Sequence, residues 1–282
     1  MAKSTILKYK IAAYKLFTAF KNFFNELRGV FPYHGNVYNC PVCNTNLKYF
    51  SPIGADYLKH LEDNAFAYPF FMLETSTIYN FACPHCNAND RDRLYALYIQ
   101  KKLSESKDGS KLSLVDFAPQ LGLSAFLKKN AKLNYRSADL YMQDVDDKVD
   151  ITDMKPYRNN TFDIFICSHV LEHVKDDKQA ISELYRILKP GGWGIAMVPI
   201  MLAIEDTFED DSIVTDHDKW KYYMQDDHVR LYSKKGFVKQ LESGGFIVHQ
   251  YGADYFGIDS FKKHGIQERS VLYVVQVPDT KK

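Results

Sequence analysis

Charge of one sign is what this sequence has least of: 36 Lys and Arg face 35 Asp and Glu, leaving +1 over 282 residues. Residues 111–282, with 23 basic against 26 acidic side chains, lack the basic footprint that binding a phosphate backbone requires, which disfavours nucleic acid as a partner. Long apolar runs are missing too. Over the first thirty residues Lys3, Lys8, Lys10, Lys15, Lys21 and Arg28 interrupt every apolar stretch, a pattern read as neither a secretory signal nor a spanning helix. Cysteine is scarce, five in all. The expectation is a cytoplasmic protein whose cysteines are thiols or metal ligands rather than disulfides. Internal repeats and low-complexity segments are absent as well. What is present is apolar substance: 46% hydrophobic and 15% aromatic side chains suffice for an ordered core, one domain and an accessory module.

The positive charge sits early, since residues 1–110 hold 13 Lys and Arg against 9 Asp and Glu. Within residues 5–28, Ala13, Leu16, Phe17, Phe20, Phe24 and Leu27 recur every three or four positions, which predicts an amphipathic helix closed by Gly29. Such a helix either docks on the protein's own core or lies on an anionic membrane surface, a peripheral contact at the inner face. A cysteine-bearing module follows, then a helix in "LYALYIQKKL" and a polar linker in "SESKDGSK". Beyond it, strands in "LSLVDFA", "NYRSADL", "TFDIFICS" and "WGIAMVPI" alternate with helices in "LSAFLKKN" and "KQAISELYRILKP". The helix "KKGFVKQLESGG" and the strands "FIVHQYG" and "SVLYVVQV" end the pattern. This alternation predicts an α/β fold with a largely parallel sheet covered on both faces and a ligand site at the carboxyl ends of its strands. The segments are 1–30, the basic helix; 31–103, the module and connecting helix; and 104–282, the sheet domain.

Cys40, Cys43, Cys83 and Cys86 lie in "NCPVCN" and "ACPHCN". Two CxxC turns supply four thiolates, a set that suits tetrahedral zinc with no open position, hence a structural, zinc-ribbon-like site; redox-active dithiols are the alternative. The 39 residues between the pairs exceed the common ribbon spacing. Cys167, inside an apolar strand, is read as a small buried hydrophobe, and His85 as solvent-facing. In "NDRDRL", Asp90 is a candidate helix cap, and Arg91 and Arg93 are either solvated or aimed at an anionic substrate.

The 42 residues "NNTFDIFICSHVLEHVKDDKQAISELYRILKPGGWGIAMVPI" resemble class I S-adenosylmethionine-dependent methyltransferases, in which a "HVLEHV"-type turn precedes "LKPGG". The CxxC pairs, "DFAPQ" and the later "DHVR" segment resemble, more narrowly, a bacterial subgroup often encoded among polysaccharide-synthesis functions. The resemblance implies a Rossmann-like seven-stranded sheet, S-adenosylmethionine as cofactor and zinc in the module. It implies cofactor contacts from Asp116, Phe117, Ala118, Pro119 and Gly122 in the first turn, with Ala118 and Gln120 where glycines are usual. Asp139 with Leu140, Asp150 with Ile151, and Ser168 with His169 complete the implied set. Asp139 lies 23 residues after Asp116, a distance that suits a carboxylate accepting from ribose hydroxyls.

Methyl transfer needs an aligned acceptor and, for a hydroxyl, a base. His169 and, second, His228 are the candidates, His169 standing level between cofactor packing and base catalysis. His173, four positions after His169, is read as a packing or hydrogen-bonding residue without a second metal. Arg230 is a candidate cation for a carboxylate or sugar phosphate, and the acidic run Glu205–Asp211 a solvated lid. The leading reading is a methyltransferase O-methylating a small or glycan-linked acceptor. An RNA methyltransferase with a zinc module and a non-catalytic adaptor are the alternatives.

Overall fold

The computed structural model describes residues 33–105 and 109–279; the helix expected over 5–28 lies outside them. Strands β1 (His34–Cys40) and β2 (Thr45–Leu47) pair antiparallel as a small ribbon. Helix α1 (Ala55–Asp63) and a 3-10 turn (Phe70–Met72) fill the interval before helix α2 (Asp90–Glu105). The sheet domain follows as β3 (Leu112–Phe117), α3 (Leu121–Lys128), β4 (Leu133–Asp139), β5 (Asp147–Lys148), β6 (Phe162–Ser168), α4 (Asp177–Ile187) and β7 (Leu188–Met197). Helices α5 (Asp216–Tyr223) and α6 (Lys234–Ser243), strand β8 (Ile247–Tyr251), short helices α7 (Ala253–Phe256) and α8 (Ile258–Lys263), and strand β9 (Leu272–Gln276) complete it.

Seven strands form one sheet in the order β5-β4-β3-β6-β7-β9-β8. Pairs from β5 to β7 are parallel, and β9 alone runs against its neighbours. The six apolar runs read from the sequence are β3, β4, β6, β7, β8 and β9, while β5, two polar residues, was not read; Leu114, Val115, Ile164, Phe165, Ile195, Ala196, Tyr273 and Val275 are buried on both faces, as a helix-covered parallel sheet demands. Register sets the site. Phe117 pairs with Ala138 and with Cys167, so the carboxyl ends of β3, β4 and β6 finish level and bring Ala118, Asp139 and His169 to one edge.

Helix α2 belongs to the sheet's core, into which it buries Leu94, Tyr95, Tyr98, Ile99 and Leu103. Its start is a reciprocal cap: Asp92 N donates to Asn89 Oδ1 and Asn89 N to Asp92 Oδ2, both at 2.9 Å. Asn89 is therefore the cap, while Asp90 accepts from Thr77 N at 2.7 Å. Arg93 is fully buried and neither solvated nor aimed at a ligand. Its guanidinium donates to the carbonyls of His264, Phe81, Ala88, Asn80 and Gly265 and lies 3.9 Å over the Phe50 ring. One cation thus knits the cysteine module to the end of the sheet domain.

A third apolar cluster joins Leu61 and Leu73 to Met201, Tyr223, Met224 and Leu231. The long interval between the CxxC pairs and the segment after β7 therefore cover the sheet's edge together.

Candidate active site

The two cysteine turns have one geometry. Asn44 and Asn87, each following the second cysteine, stand at φ 57° and 59° and donate their N–H to the carbonyls of Cys40 and Cys83 at 2.8 Å. Asparagine tolerates this left-handed conformation where most residues do not. All four Sγ atoms lie within 4.8 Å of one another, with Cys40–Cys86 at 3.7 Å and Cys43–Cys83 at 3.8 Å. A tetrahedron of thiolates at the zinc–sulfur bond length of ~2.3 Å has an edge of ~3.8 Å, so the donor set fits that ion.

At the carboxyl edge of the sheet lies a cavity of about 740 Å³, within the range of small-molecule sites. Phe117 and Ala118 after β3, Asp139 and Leu140 after β4, Asp150 and Ile151, and His169 after β6 all line it. Asp139 Oδ1 accepts from the N–H groups of Tyr141 and Met142 at 2.6 and 2.7 Å, which fixes the carboxylate at the rim. Asp150 accepts from Thr152 N at 2.8 Å in the same manner. Gln120 is exposed and does not line the hollow.

Other expected contacts do not line this cavity. Asp116 is buried beneath the turn, where Tyr135 Oη donates to it at 2.9 Å; burial pushes its carboxyl up to about 7. Ser168 pairs with Tyr95 Oη at 2.8 Å, and Pro119 is buried. Gly122 faces the cysteine module: a Cβ there would stand 2.5 Å from the Cys86 carbonyl, so close packing of α3 on the second knuckle is what requires glycine. Ala118 replaces the usual glycine at a costly place, since its φ is +51°.

His169, at φ +56°, lines both this cavity and a second one of about 320 Å³. Two left-handed non-glycine residues at neighbouring strand ends mark the edge as a place where strain is retained. The second cavity is walled by Ile53 and Ile200 and by Tyr57, Phe70, Leu73 and Met224 of the covering cluster, and sequence reasoning left that cluster without a role. Among the described residues Arg91 is the sole Lys, Arg, Asp or Glu lining it, and its Nε is buried without a hydrogen-bond partner among them. The only sequence signal for it was the "NDRDR" run.

Arg91 Nη1 lies 3.4 Å from His169 Nδ1, and the guanidinium can only donate. Burial, then the Arg91 cation, pushes this imidazole down to about 4, so it is uncharged at neutral pH. Glu172 Oε1 is 3.1 Å from the same Nδ1, yet neither oxygen of that carboxylate has a hydrogen-bond partner. His228 Nδ1 instead faces the Tyr223 carbonyl at 2.7 Å, which leaves the lone pair on Nε2. Burial lowers its pKa as well.

His173 sits in a 3-10 turn, Leu171–His173, rather than on an α-helix. Arg230, 2% exposed, donates to the carbonyls of Leu171, Val174 and Lys175 and pairs with Glu209 at 2.9 Å. It is spent on holding the lid segment to the "HVLEHV" turn and offers nothing to an acceptor. The acidic side chains of Glu205, Asp206 and Asp211 point to solvent.

Residues 109–196, 88 of the 282, match the family model described as a methyltransferase domain. Sheet order and match together define a Rossmann-like methyltransferase fold. No curated protein matches the chain. Among solved structures it is similar to the CurJ carbon methyltransferase, at 17% identity over 67% of this chain and 58% of that one, TM-score 0.43. It is similar to Haemonchus contortus phosphoethanolamine N-methyltransferase 2, at 16% identity over 65% and 52%, TM-score 0.43. A third is a SAM-dependent methyltransferase from Archaeoglobus fulgidus, at 12% identity over 66% and 94%, TM-score 0.42. The chain thus spans less than two thirds of the length of the first two.

Proposed function

We infer that the protein is an S-adenosylmethionine-dependent methyltransferase that methylates a small or glycan-linked acceptor at oxygen. The observation that carries this reading is the pair of cavities meeting at His169, one at the sheet's carboxyl edge with an acid at its rim, the other apolar with a single cation. Asp139 holds the ribose, Asp150 and Ile151 the adenine, and the backbone of Phe117 and Ala118 the methionine portion. When bound, this cofactor supplies a methyl group activated on a sulfonium. Cys40, Cys43, Cys83 and Cys86 hold a structural zinc.

On the acceptor side, the apolar wall excludes water, and Arg91 receives a carboxylate or phosphate of the acceptor with the N–H left unpaired at Nε. His169 lines the junction of the two cavities, and His228 presents the lone pair of Nε2 to the acceptor.

Incubation of the protein with methyl-labelled S-adenosylmethionine and fractionated cell extract tests the reading. Label should enter acid-soluble compounds retained on an anion exchanger. Arg91→Met should reduce that incorporation at least tenfold with S-adenosylhomocysteine affinity unchanged. Label in RNA would establish the alternative enzyme, and label in no fraction would contradict methyl transfer.

A further inference from the structure

Glu172 is 1% exposed, both of its carboxylate oxygens lack a hydrogen-bond partner among the described residues, and its ion-pair contact is His169 Nδ1 at 3.1 Å. A buried carboxylate left in that state is costly unless a cation or donor meets it. Its neighbours are imidazoles. Ligand atoms of Glu172, His173 and His228 lie within 4.8 Å of one another, and the two histidine rings meet edge to face at 4.6 Å.

Each ring has its other nitrogen occupied. His228 Nδ1 engages the Tyr223 carbonyl at 2.7 Å, and His173 Nδ1 faces Asp227 Oδ2 at 3.2 Å. Oxygen acceptors on Nδ1 fix the tautomer, leave Nε2 with its lone pair and raise its basicity, which is the outer-shell arrangement of metal-ligating histidines. Backbone bonding holds the pieces together: Val229 N donates to the Glu172 carbonyl at 2.9 Å, so the loop bearing His228 is clamped to the turn bearing the other two.

We propose that Glu172, His173 and His228 form a site for a divalent first-row transition-metal ion, distinct from the four-cysteine site. Two imidazoles and a carboxylate suit such an ion and leave further coordination positions open, whereas four thiolates close the shell. The site lies at the seam of the two cavities: His173 and Asp227 line the larger, His228 the smaller and His169 both. An acceptor oxygen on an open position would be polarised there, the lone pair of His228 serving the ion instead of a proton. That role rests on the methyltransferase reading; the ion's binding does not.

The test is titration of chelator-stripped full-length protein with Co(II), followed by absorbance and by metal analysis after desalting. Two equivalents are expected, one with intense thiolate-to-cobalt charge-transfer bands and one with only weak d–d bands. Glu172→Gln and His228→Gln should weaken the second at least tenfold and leave the thiolate bands, which report that the variants are folded. His173→Gln, at a partly exposed position, does the same should a buried variant fail to fold. A single equivalent with thiolate bands alone, or a second equivalent unaffected by these substitutions, overturns the proposal. Two equivalents without methyl transfer to any acceptor would sink the enzymatic reading and leave the metal site standing.

Discussion

Asp116 shows what a residue's place in a strand does and does not reveal. Its position at the end of β3 was legible from the run "LSLVDF", but the direction of its side chain was not. The carboxyl turns under the sheet edge to Tyr135 and Ser124 while the next two residues line the cavity. Asp139, Asp150 and His169, equally placed by pattern, do reach the cavity, because backbone N–H groups or a neighbouring arginine aim them there. Burial gives Asp116 a measurable signature. Its folded pKa of about 7 exceeds the unfolded 3.8, so the folded protein keeps a proton that the unfolded chain has lost, and its contribution to stability falls as pH rises through that window. His169, pushed to about 4 from 6.5, works in the opposite direction, so a difference between proteins isolates the carboxyl. Asp116→Asn should gain about 2 kcal/mol on the native protein between pH 5 and pH 7.5 in urea unfolding. A gap that stays constant across that range would show that Asp116 ionises normally.

At the scale of elements, the alternating strands and helices could be read because each buried strand is a short apolar run and each helix carries a 3.6-residue pattern. Helix α4 nevertheless ends at Ile187, before the expected Pro190, as the residue preceding a proline resists helical angles. The cover over the second cavity could not be read, since residues 50–80 form short pieces and irregular turns whose apolar residues find partners far along the chain, as Leu73 does at Met201. The cysteine turns were legible down to their asparagines; their attachment was not. Arg93 binds carbonyls on both sides of the join, and His264 Nδ1 meets the Asn39 carbonyl at 2.7 Å. Removal of the proposed zinc by a strong chelator, or Cys43→Ser, should therefore destabilise module and sheet together, by roughly 3 kcal/mol or about 10 °C, in one calorimetric transition. Two separate transitions would mean that the module melts on its own.

At the scale of the whole molecule, three apolar clusters among the described residues serve one edge. The sheet's core presents the larger cavity, the cover encloses the smaller, and the cysteine module packs behind α3 through Gly122. A hollow of about 850 Å³ at that rear seam does not include His169 and is lined mainly by the module and α3. Among the described residues no helix is long and apolar enough to cross a membrane. The near-balanced charge agrees with a small anionic acceptor met by one arginine rather than a polyanion met by many.

Calorimetric titration of the folded protein with S-adenosylhomocysteine tests the central claim most directly. Binding at one site per chain, weakened at least tenfold in Asp139→Ala with the thermal midpoint unchanged, is the predicted result. Absence of heat and of any thermal shift with saturating ligand would contradict it.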